Sequence, residues 1–374
     1  MQAILSLLLS VILAVPSLGY GNAVMFGNHP AWLDFGGAEE ETNTADTLNV
    51  IFTVDTEDKR GSDPSLIEGD LSGYGIEENC GVDYIMDTFE AYGERAVFFV
   101  NIYEHVLYDD DYMPSLLQRM NSRGHEVELH THMAQGVHLD YYNKNLDVST
   151  AEEQRVVYSY GRDYIYDAIG RYPIAYRAGA YRINDDTFGV LHDLGFLIDS
   201  SVYFGMAENN LVEYQGISNQ LMEIDGVLEF PIVVVNRGGA LRKMDIDSLD
   251  TRTMIRSLEK CRESRAYNTV QIMFHSFTFM DTSVDDGQEP LYMDGDKPVC
   301  GENAETKQRL TDLLDYLTTT EGYNIITFEE YLKMNLPLPE YESYNLVTLS
   351  KNYLVSCADE WEKRRGQTCF EGLS

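Results

Sequence analysis

Short apolar segments rich in β-branched and aromatic residues alternate along the chain with longer segments of helical periodicity. The apolar segments predict strands at Leu48–Val54, Ala96–Asn101, Glu126–His130, Ala175–Arg177, Phe196–Ser200, Leu228–Val233, Val270–His275 and Asn324–Phe328. The helical repeats predict helices at Val82–Tyr92, Pro114–Arg123, Thr150–Ile169, Asp185–Leu194, Thr251–Arg262 and Ala304–Thr319. Such an alternation is typical of an α/β protein with a parallel sheet or barrel.

The number of these steps sets the domain organisation. Seven or eight β/α steps across about 290 residues favour a single distorted (β/α) barrel of seven or eight strands over two domains, because such barrels commonly have this length. We expect the barrel to occupy residues 45–335, with long rim loops at 205–226 and 281–301. Residues 338–374 lose the alternation and are expected to form a tail or lid.

The first residues are apolar and uncharged from Met1 to about Val15, and small residues follow up to Gly19. This pattern predicts a signal peptide over residues 1–19, with an uncleaved anchor as the alternative. No later segment has some twenty consecutive apolar residues. We therefore expect a secreted, extracellular protein without stable membrane insertion after signal cleavage.

Acidic residues outnumber basic ones by 62 to 27, which gives a net charge of −35. Such a charge repels nucleic acid and anionic membranes, so we expect neither as a partner, and neutral or cationic substrates fit better. A strongly acidic surface also keeps a secreted protein soluble, which explains the charge without any specific function. The charge argues against nucleic acid and anionic membranes as partners, and it does not indicate the oligomeric state.

The cysteines are odd in number: Cys80, Cys261, Cys300, Cys357 and Cys369. None forms a CxxC pair, which argues against a cysteine-rich zinc site or a thioredoxin-type redox centre. In an oxidising compartment disulfides are expected, and we favour a bond between Cys357 and Cys369 among fifteen possible patterns.

Polar side chains follow the ends of five predicted strands, where barrel enzymes build their active sites. These ends carry Asp55, Glu57 and Asp58 after the first strand, His130 and His132 after the third, Arg177 and Tyr181 after the fourth, Asp199 after the fifth, and His275 after the seventh. Such a set of carboxylates, imidazoles and an arginine is adequate for metal-assisted hydrolysis.

His130 and His132 are spaced so that both side chains of an extended strand point to one face. Two imidazoles beside carboxylates suit a divalent ion such as zinc, cobalt or nickel, with an open position for water. The HxH pattern also occurs in ordinary loop or core histidines, and His138 is a substitute ligand. We assign no role to His125, His29, His105 or His192.

Taken in order, these motifs resemble the polysaccharide deacetylases of the NodB-homology type, carbohydrate esterase family 4. The resemblance spans roughly Leu48 to Phe328, and the segment from Thr53 to Asp58 stands where the family has its first motif. By this resemblance Asp55 is the catalytic base. The acidic metal ligand that normally adjoins the base is displaced to Glu57 or Asp58, as in a subgroup with a DTE-type first motif.

The second motif of the family usually has two histidines four residues apart, and here it begins at Gly124 and leads to His130, but position 134 is alanine. By the resemblance, either His132 is the second histidine ligand or the metal site is altered. The third motif runs from Arg177 to Tyr181, with Gly179 in place of the usual proline. It implies that Arg177 orients the base and that a backbone N–H near Tyr181 helps to form an oxyanion hole.

The fourth and fifth motifs match Asp199 and His275. They imply that Asp199 holds an arginine or histidine by a charge-assisted contact and that His275 is the general acid. The resemblance as a whole implies a metal-dependent hydrolase, most simply with zinc, that removes N-acetyl or O-acetyl groups from an acetylated glycan.

Two alternatives to a deacetylase stay open. One is a non-catalytic carbohydrate-binding or matrix protein on the same barrel, for which the displaced acid and Ala134 are the supporting features. The other is a metal-free amidase of a small nitrogen compound. The sequence does not distinguish chitin, peptidoglycan or another glycan as the substrate.

Overall fold

The computed structural model describes residues 47–58, 71, 80–107, 111–132, 146–203, 209–210, 217–264, 266–281, 292–294, 297–299, 301–339 and 344–349. The predicted signal peptide, His29, His138 and the cysteines at 300, 357 and 369 lie outside these residues, as does the disulfide predicted for the last two. Within the described ranges, none of the helices combines the length and apolar character that crossing a bilayer requires.

Twelve strands are labelled in chain order. They are β1 Leu48–Thr56, β2 Val97–Asn101, β3 Glu126–Thr131, β4 Ala175–Ala178, β5 Ile198–Asp199, β6 Met222–Ile224, β7 Val227–Glu229, β8 Val234–Arg237, β9 Ala240–Lys243, β10 Thr269–His275, β11 Tyr323–Ile325 and β12 Val347–Leu349. The α-helices are α1 Val82–Ala91, α2 Tyr112–Ser122, α3 Ala151–Ile169, α4 Asp186–Leu194, α5 Thr251–Ser264, α6 Ala304–Thr319 and α7 Phe328–Met334. Three 3₁₀ turns lie at Ile102–Leu107, Leu146–Val148 and Gly179–Tyr181.

A nine-stranded curled sheet forms the centre of the α/β fold. Its order is β10-β1-β2-β3-β4-β5-β7-β6, and β11 also pairs with β1. Every pair is parallel except β6–β7. The α/β barrel architecture predicted from the alternation is confirmed, with β6 as a strand inside the segment expected to be a loop.

The two sides of the curled sheet are joined between β7 and β10. Met244 donates its backbone N–H to Val233, and Met273 on β10 donates to Met244. The Gln271 side chain crosses the same gap, because its amide donates to the carbonyl oxygens of Phe230 at 2.6 Å and Pro231 at 2.9 Å. These bonds hold the segment that follows β7 close to β10.

Side chains alternate between the two faces of each strand, and this alternation separates two apolar regions. Val50, Phe52 and Val54 of β1 face outward into the large cluster between the sheet and the helices, where Phe52 meets Phe89 of α1 edge-on. Ile51 faces the opposite way, into a smaller cluster inside the barrel. The inner face therefore places residues 51, 53 and 55 of β1 one above another inside the barrel.

Helix α7 fills the amino-terminal end of this interior. Phe328 packs against Phe99 of β2 and Phe230 after β7, with ring centroids 5.8 and 4.9 Å apart. The strand predicted for residues 324–328 is correct only as far as Ile325. Thr327 instead begins a helix, since it forms a capping box with Glu330.

A second sheet lies beside the barrel and includes part of the predicted tail. It has the order β9-β8-β12, so residues 347–349 of the chain pair with the β8–β9 hairpin. Further short strands pair Ile183–Asn184 with Asn209–Asn210, Ile217–Ser218 with Tyr344–Asn345, Met280–Asp281 with Gly301–Glu302, and Tyr292–Asp294 with Lys297–Val299.

Candidate active site

Strand register brings most of the predicted site residues to the carboxyl end of the barrel, on its interior face. Asp55 on β1 is the register partner of His275 on β10. His130 on β3 is the partner of Arg177 on β4. Because directly opposite residues of parallel neighbours share a face, all four side chains belong to the interior face of the sheet.

An ion pair between Asp55 and Arg177 lies among these side chains. Arg177 Nη1 donates to Asp55 Oδ1 at 2.5 Å, and the two side chains are 0% and 5% exposed. Burial alone raises the pKa of Asp55, but Arg177, His130 and His275 together hold that pKa below its ordinary value. The carboxylate therefore stays ionised and able to accept a proton at neutral pH.

Arg177 is fixed by four further interactions. Its Nη2 donates to Thr53 Oγ1, Ser200 Oγ and Gln271 Oε1, and its Nε donates to the backbone carbonyl oxygen of Ser200. Its guanidinium also lies 4.2 Å from the centre of the Phe99 ring. An arginine with this many partners has one position, so it orients Asp55 rigidly.

Glu57, His130 and His132 form a group that could hold a metal ion. Glu57 Oε2 lies 3.1 Å from His130 Nε2 and 2.6 Å from His132 Nε2. Burial opposes ionisation of Glu57, but His132 and His130 hold its pKa well below the ordinary value. The same carboxylate raises the pKa of His132 to about 9, against the effect of burial.

The protonation of His130 suits a metal ligand. Its Nδ1 lies 2.9 Å from the backbone carbonyl oxygen of Arg177. A carbonyl only accepts, so Nδ1 carries the proton, and the lone pair of Nε2 points toward Glu57 and His132. Two imidazole nitrogens and one carboxylate oxygen make the three-ligand donor set of many catalytic zinc sites.

The backbone around His132 is held from two sides. Its N–H donates to Asn101 Oδ1 at 3.3 Å, and the Asn101 amide in turn donates to Glu104 Oε1 at 2.9 Å. On the other side lies Gly179, where an added Cβ would be 2.7 Å from His132 Cγ and 2.4 Å from the Thr131 carbonyl oxygen. Only glycine allows this close approach of β4 to the imidazole.

The turn after β4 has an unusual backbone. Ala180 and Tyr181 have φ values of 49° and 58°, in the left-handed region that side chains other than glycine seldom adopt. Two consecutive residues of this kind cost of order 1–3 kcal/mol each and are found mostly at functional sites. The predicted oxyanion donor, the N–H near Tyr181, belongs to this strained turn.

His275 faces two carboxylates. Its Nε2 lies 3.7 Å from Glu57 Oε1, and its Nδ1 lies 3.7 Å from Asp247 Oδ2. Burial lowers the pKa of His275, but Asp247, Glu57 and Asp55 raise it overall. A raised pKa favours the charged form of this histidine, which is the form that can donate a proton.

Two predicted residues lie away from this group. Asp58 is not among the three converging ligands, since inward positions of β1 and its extension have odd numbers; its N–H donates to Glu104. Asp199 is the register partner of Tyr176, which packs in the outer cluster. Its carboxylate accepts from the Ser201 N–H and hydroxyl, and Ser200, the next inward residue, contacts Arg177 instead.

The histidines without an assigned role lie elsewhere. His125 begins the segment before β3, where its Nδ1 accepts from the Ala96 N–H. His105 bonds to the Tyr160 hydroxyl, and His192 is exposed on α4.

Several residues of the site were missed by sequence reasoning. They are Asn101, Ser200, Asp247 and Gln271. Asn101 ends β2, and Gln271 is a polar residue within an apolar strand, so the sequence pattern could have indicated both residues. The sequence pattern did not indicate Asp247, because its segment follows no predicted strand of the barrel.

Residues 71–198 match the family model described as Polysaccharide deacetylase. No curated protein matches the sequence. Similar solved structures include a protein described as a polysaccharide deacetylase from Mycobacterium smegmatis, with 15% identity, a TM-score of 0.48, and coverage of 79% of this chain and 94% of that one.

Two other solved structures illustrate the range of these neighbours. The catalytic domain of a peptidoglycan N-acetylglucosamine deacetylase from Eubacterium rectale ATCC 33656 has 11% identity, a TM-score of 0.39, and coverage of 79% and 94%. The Puue allantoinase has 12% identity, a TM-score of 0.46, and coverage of 85% and 97%. The segment that matches the polysaccharide deacetylase family model includes His130, His132, Arg177 and Tyr181.

Proposed function

We propose that the chain is an exported, metal-dependent deacetylase that hydrolyses N-acetyl groups of a polysaccharide. One observation carries the proposal: the Glu57, His130 and His132 donor atoms all lie within 4.8 Å of one another. They lie at the same end of the barrel as the Asp55–Arg177 pair and His275, whose Nε2 is 3.7 Å from Glu57 Oε1. This combination supplies a metal site, a base and an acid at one end of the barrel.

Glu57, His130 and His132 would hold the ion, and a set of two nitrogens and one oxygen favours zinc, with cobalt or nickel as alternatives. When bound, a divalent ion acts as a Lewis acid on the acetyl carbonyl oxygen and makes a nearby water more acidic. Of the two acids considered for the displaced ligand, Glu57 is supported by its carboxylate, which lies 3.1 Å from His130 Nε2 and 2.6 Å from His132 Nε2.

Asp55 accepts the proton of the attacking water. Its Oδ1 is occupied by Arg177, which leaves Oδ2 for the water. Since the Arg177 contact also holds the pKa of Asp55 low, proton transfer to Asp55 has a modest driving force, and the arginine serves mainly to fix the direction of attack.

His275 donates a proton to the departing amine. Its raised pKa favours the charged form before the reaction, and Asp247 Oδ2 lies 3.7 Å from its other ring nitrogen. Backbone N–H groups of the strained Gly179–Tyr181 turn would stabilise the negative charge on the tetrahedral carbon's oxygen, where such a donor is worth about 10²–10³ in rate.

The proposal is tested with the purified chain. Bound metal is measured by elemental analysis, and acetate release is measured on a panel of N-acetylated and O-acetylated glycans before and after chelation. We expect near-stoichiometric metal, chelator-sensitive acetate release, and recovery on adding zinc. A metal-free protein that releases no acetate from any glycan, even with added zinc, would favour the non-catalytic alternative. Export is tested separately, by locating the full-length chain and sequencing its mature amino terminus.

A further inference from the structure

The 3₁₀ turn Ile102–Leu107 carries a buried carboxyl group beside the candidate metal site. β2 ends at Asn101, whose register partner on β3 is His130, so the Asn101 side chain faces the barrel interior. Glu104 lies one turn of the 3₁₀ helix after Asn101, and both residues are 0% exposed. Because β2 lies between β1 and β3 in the sheet, these two side chains stand between the segments that carry the proposed metal ligands.

Glu104 binds the segment that follows β1. Its Oε1 accepts the Asp58 N–H at 2.8 Å. This N–H belongs to the peptide group that joins Glu57 to Asp58, and the oxygen of the same peptide group accepts the Ser276 hydroxyl at 3.2 Å. Glu104 and Ser276 therefore hold the two ends of the peptide group next to the Glu57 side chain.

Glu104 also reaches the segment that follows β3, through Asn101. Asn101 Nδ2 donates to the same Glu104 Oε1 at 2.9 Å, and Asn101 Oδ1 accepts the backbone N–H of His132 at 3.3 Å. Glu104 Oε2 has no hydrogen-bond partner among the described residues. One oxygen atom, Glu104 Oε1, therefore joins the backbone after Glu57 to the backbone of His132.

The two backbones joined in this way are not placed by strand pairing. β1 ends at Thr56 and β3 ends at Thr131, so Glu57 and His132 each lie one residue beyond a strand. Their side chains nevertheless meet, with Oε2 of Glu57 2.6 Å from Nε2 of His132. Metal–ligand distances vary by only about 0.2 Å, so a metal site needs such ligands to be held in place.

We propose that Glu104, acting through Asn101, is a positioning residue of the metal site: it sets the separation of the Glu57 and His132 backbones, and with it the affinity for the ion. This inference rests on the metal-dependent function proposed above. Side chains that orient metal ligands without touching the ion typically contribute about 10- to 100-fold to metal affinity.

Four variants separate this role from a general effect on stability. Glu104→Ala and Asn101→Ala each break the connection. Glu104→Gln keeps an oxygen for the donors of Asp58 and Asn101, and since burial raises the pKa of Glu104 well above its usual range, a neutral amide resembles the side chain it replaces. Asn219→Ala is the matched control, because Asn219 is also a buried asparagine that binds backbone atoms, at 2.8 and 2.9 Å from the oxygen and nitrogen of Val234.

Zinc affinity is measured by competition with a chromophoric chelator, and the visible spectrum of the cobalt-loaded protein reports the ligand geometry. Glu104→Ala and Asn101→Ala should each bind zinc about 10- to 100-fold more weakly and shift the cobalt bands. The double variant should lose little more than either alone, because both changes break one connection. Glu104→Gln should keep most of the wild-type affinity, and Asn219→Ala should keep all of it.

Wild-type zinc affinity in Glu104→Ala and Asn101→Ala, or an equal loss of affinity in Asn219→Ala, would overturn the positioning role. So would a Glu104→Gln protein that binds zinc as weakly as Glu104→Ala, because the bonds to Oε1 would not be the cause. If Glu104→Ala does not fold, the comparison of Asn101→Ala with Asn219→Ala decides.

A wild-type chain that takes up neither zinc nor cobalt would instead refute the proposed metal-dependent function. Amide hydrogen exchange of the metal-free protein then decides by itself whether Glu104 holds the two segments. Glu104→Ala should speed exchange of the Asp58 and His132 N–H groups about five- to tenfold, and Asn219→Ala should not. Unchanged exchange in Glu104→Ala would refute the inference.

Discussion

Arg177 donates a 2.5 Å hydrogen bond to Asp55 across the inside of the barrel, although the two residues are 122 positions apart in the chain. The same guanidinium also binds Ser200 and Gln271, so it ties β4 to β1, β5 and β10. One buried arginine therefore both supports the barrel and sets the direction of the carboxylate that we propose as the base.

Asp55→Asn should abolish deacetylation while the chain still folds. The amide keeps an oxygen for Arg177 but cannot accept a proton from water, so kcat should fall at least about 10²-fold. The lost charge beside a buried arginine should lower the free energy of unfolding by about 1–3 kcal/mol, measured by denaturant titration. Asp58→Asn is the matched control, and an equal loss of kcat there would move the base to Asp58.

His130→Ala should lose the metal, because the two remaining ligands cannot replace a directional bond. Metal content after dialysis is the measurement. His192→Ala, at an exposed histidine of α4, should retain wild-type stoichiometry. A His130→Ala protein that also keeps its metal would show that His130 is not a ligand.

Gly179→Ala should weaken metal binding without touching a ligand atom. The new Cβ would lie 2.7 Å from His132 Cγ and 2.4 Å from a backbone oxygen, so the imidazole or the turn must move. Gly189→Ala is the control, since nothing lies within 4 Å of its Cβ and alanine favours a helix by up to about 1 kcal/mol. Competition with a chromophoric chelator measures both affinities, and equal values would refute the role of Gly179.

Asp247→Asn should slow the step that depends on His275. Against burial, Asp247 raises the pKa of His275, so its loss should move the alkaline limb of the pH–rate profile to lower pH. An amide substrate should suffer more than an activated phenyl ester, whose leaving group departs without a proton. Equal losses on the two substrates, with an unmoved alkaline limb, would reduce Asp247 to a structural residue.

Glu126→Gln should stabilise the protein above neutral pH. Burial, partly offset by Arg171, raises the pKa of Glu126 to about 7, against about 4.3 in an unfolded chain. The folded state then binds more protons between these values, so the free energy of unfolding falls as pH rises from about 4.3 to about 7, by roughly 1–3 kcal/mol. The glutamine variant avoids this loss.

Calorimetry at several pH values measures the effect. Glu126→Gln should have a higher Tm than the wild type at pH 8 and a similar Tm at pH 4.5, by about 2–4 °C per kcal/mol. Glu152→Gln, at an exposed position of α3, should follow the wild type throughout. A Tm difference that does not change with pH would mean that Glu126 does not titrate in this range.

The inward positions of long strands could be predicted from the sequence, and those of short strands could not. β1 and β3 are long enough for alternation to fix which side chains face inward, and Asp55, Glu57 and His130 do so. β5 has only two residues, so the pattern could not separate Asp199 from Ser200. A shift of one residue reverses the face.

Tertiary contacts explain the other features that the sequence did not predict. Asp247 reaches His275 only because residues 244–246 lie along β10, a pairing between segments that share no local pattern. Thr327 and Glu330 formed a recognisable capping box, but the preceding apolar residues gave the stronger signal and extended the predicted strand too far.

The pairing of β1 has a consequence for folding during synthesis. β1 is made first, yet its neighbour β10 follows some 220 residues later, and β11 and the α7 helix that fills the barrel come later still. At about 5–20 residues per second the ribosome needs roughly 10–45 s to bridge that distance. Over this time one edge of this fully buried strand lacks its partner, so the chain depends on chaperones or on delayed folding to avoid aggregation.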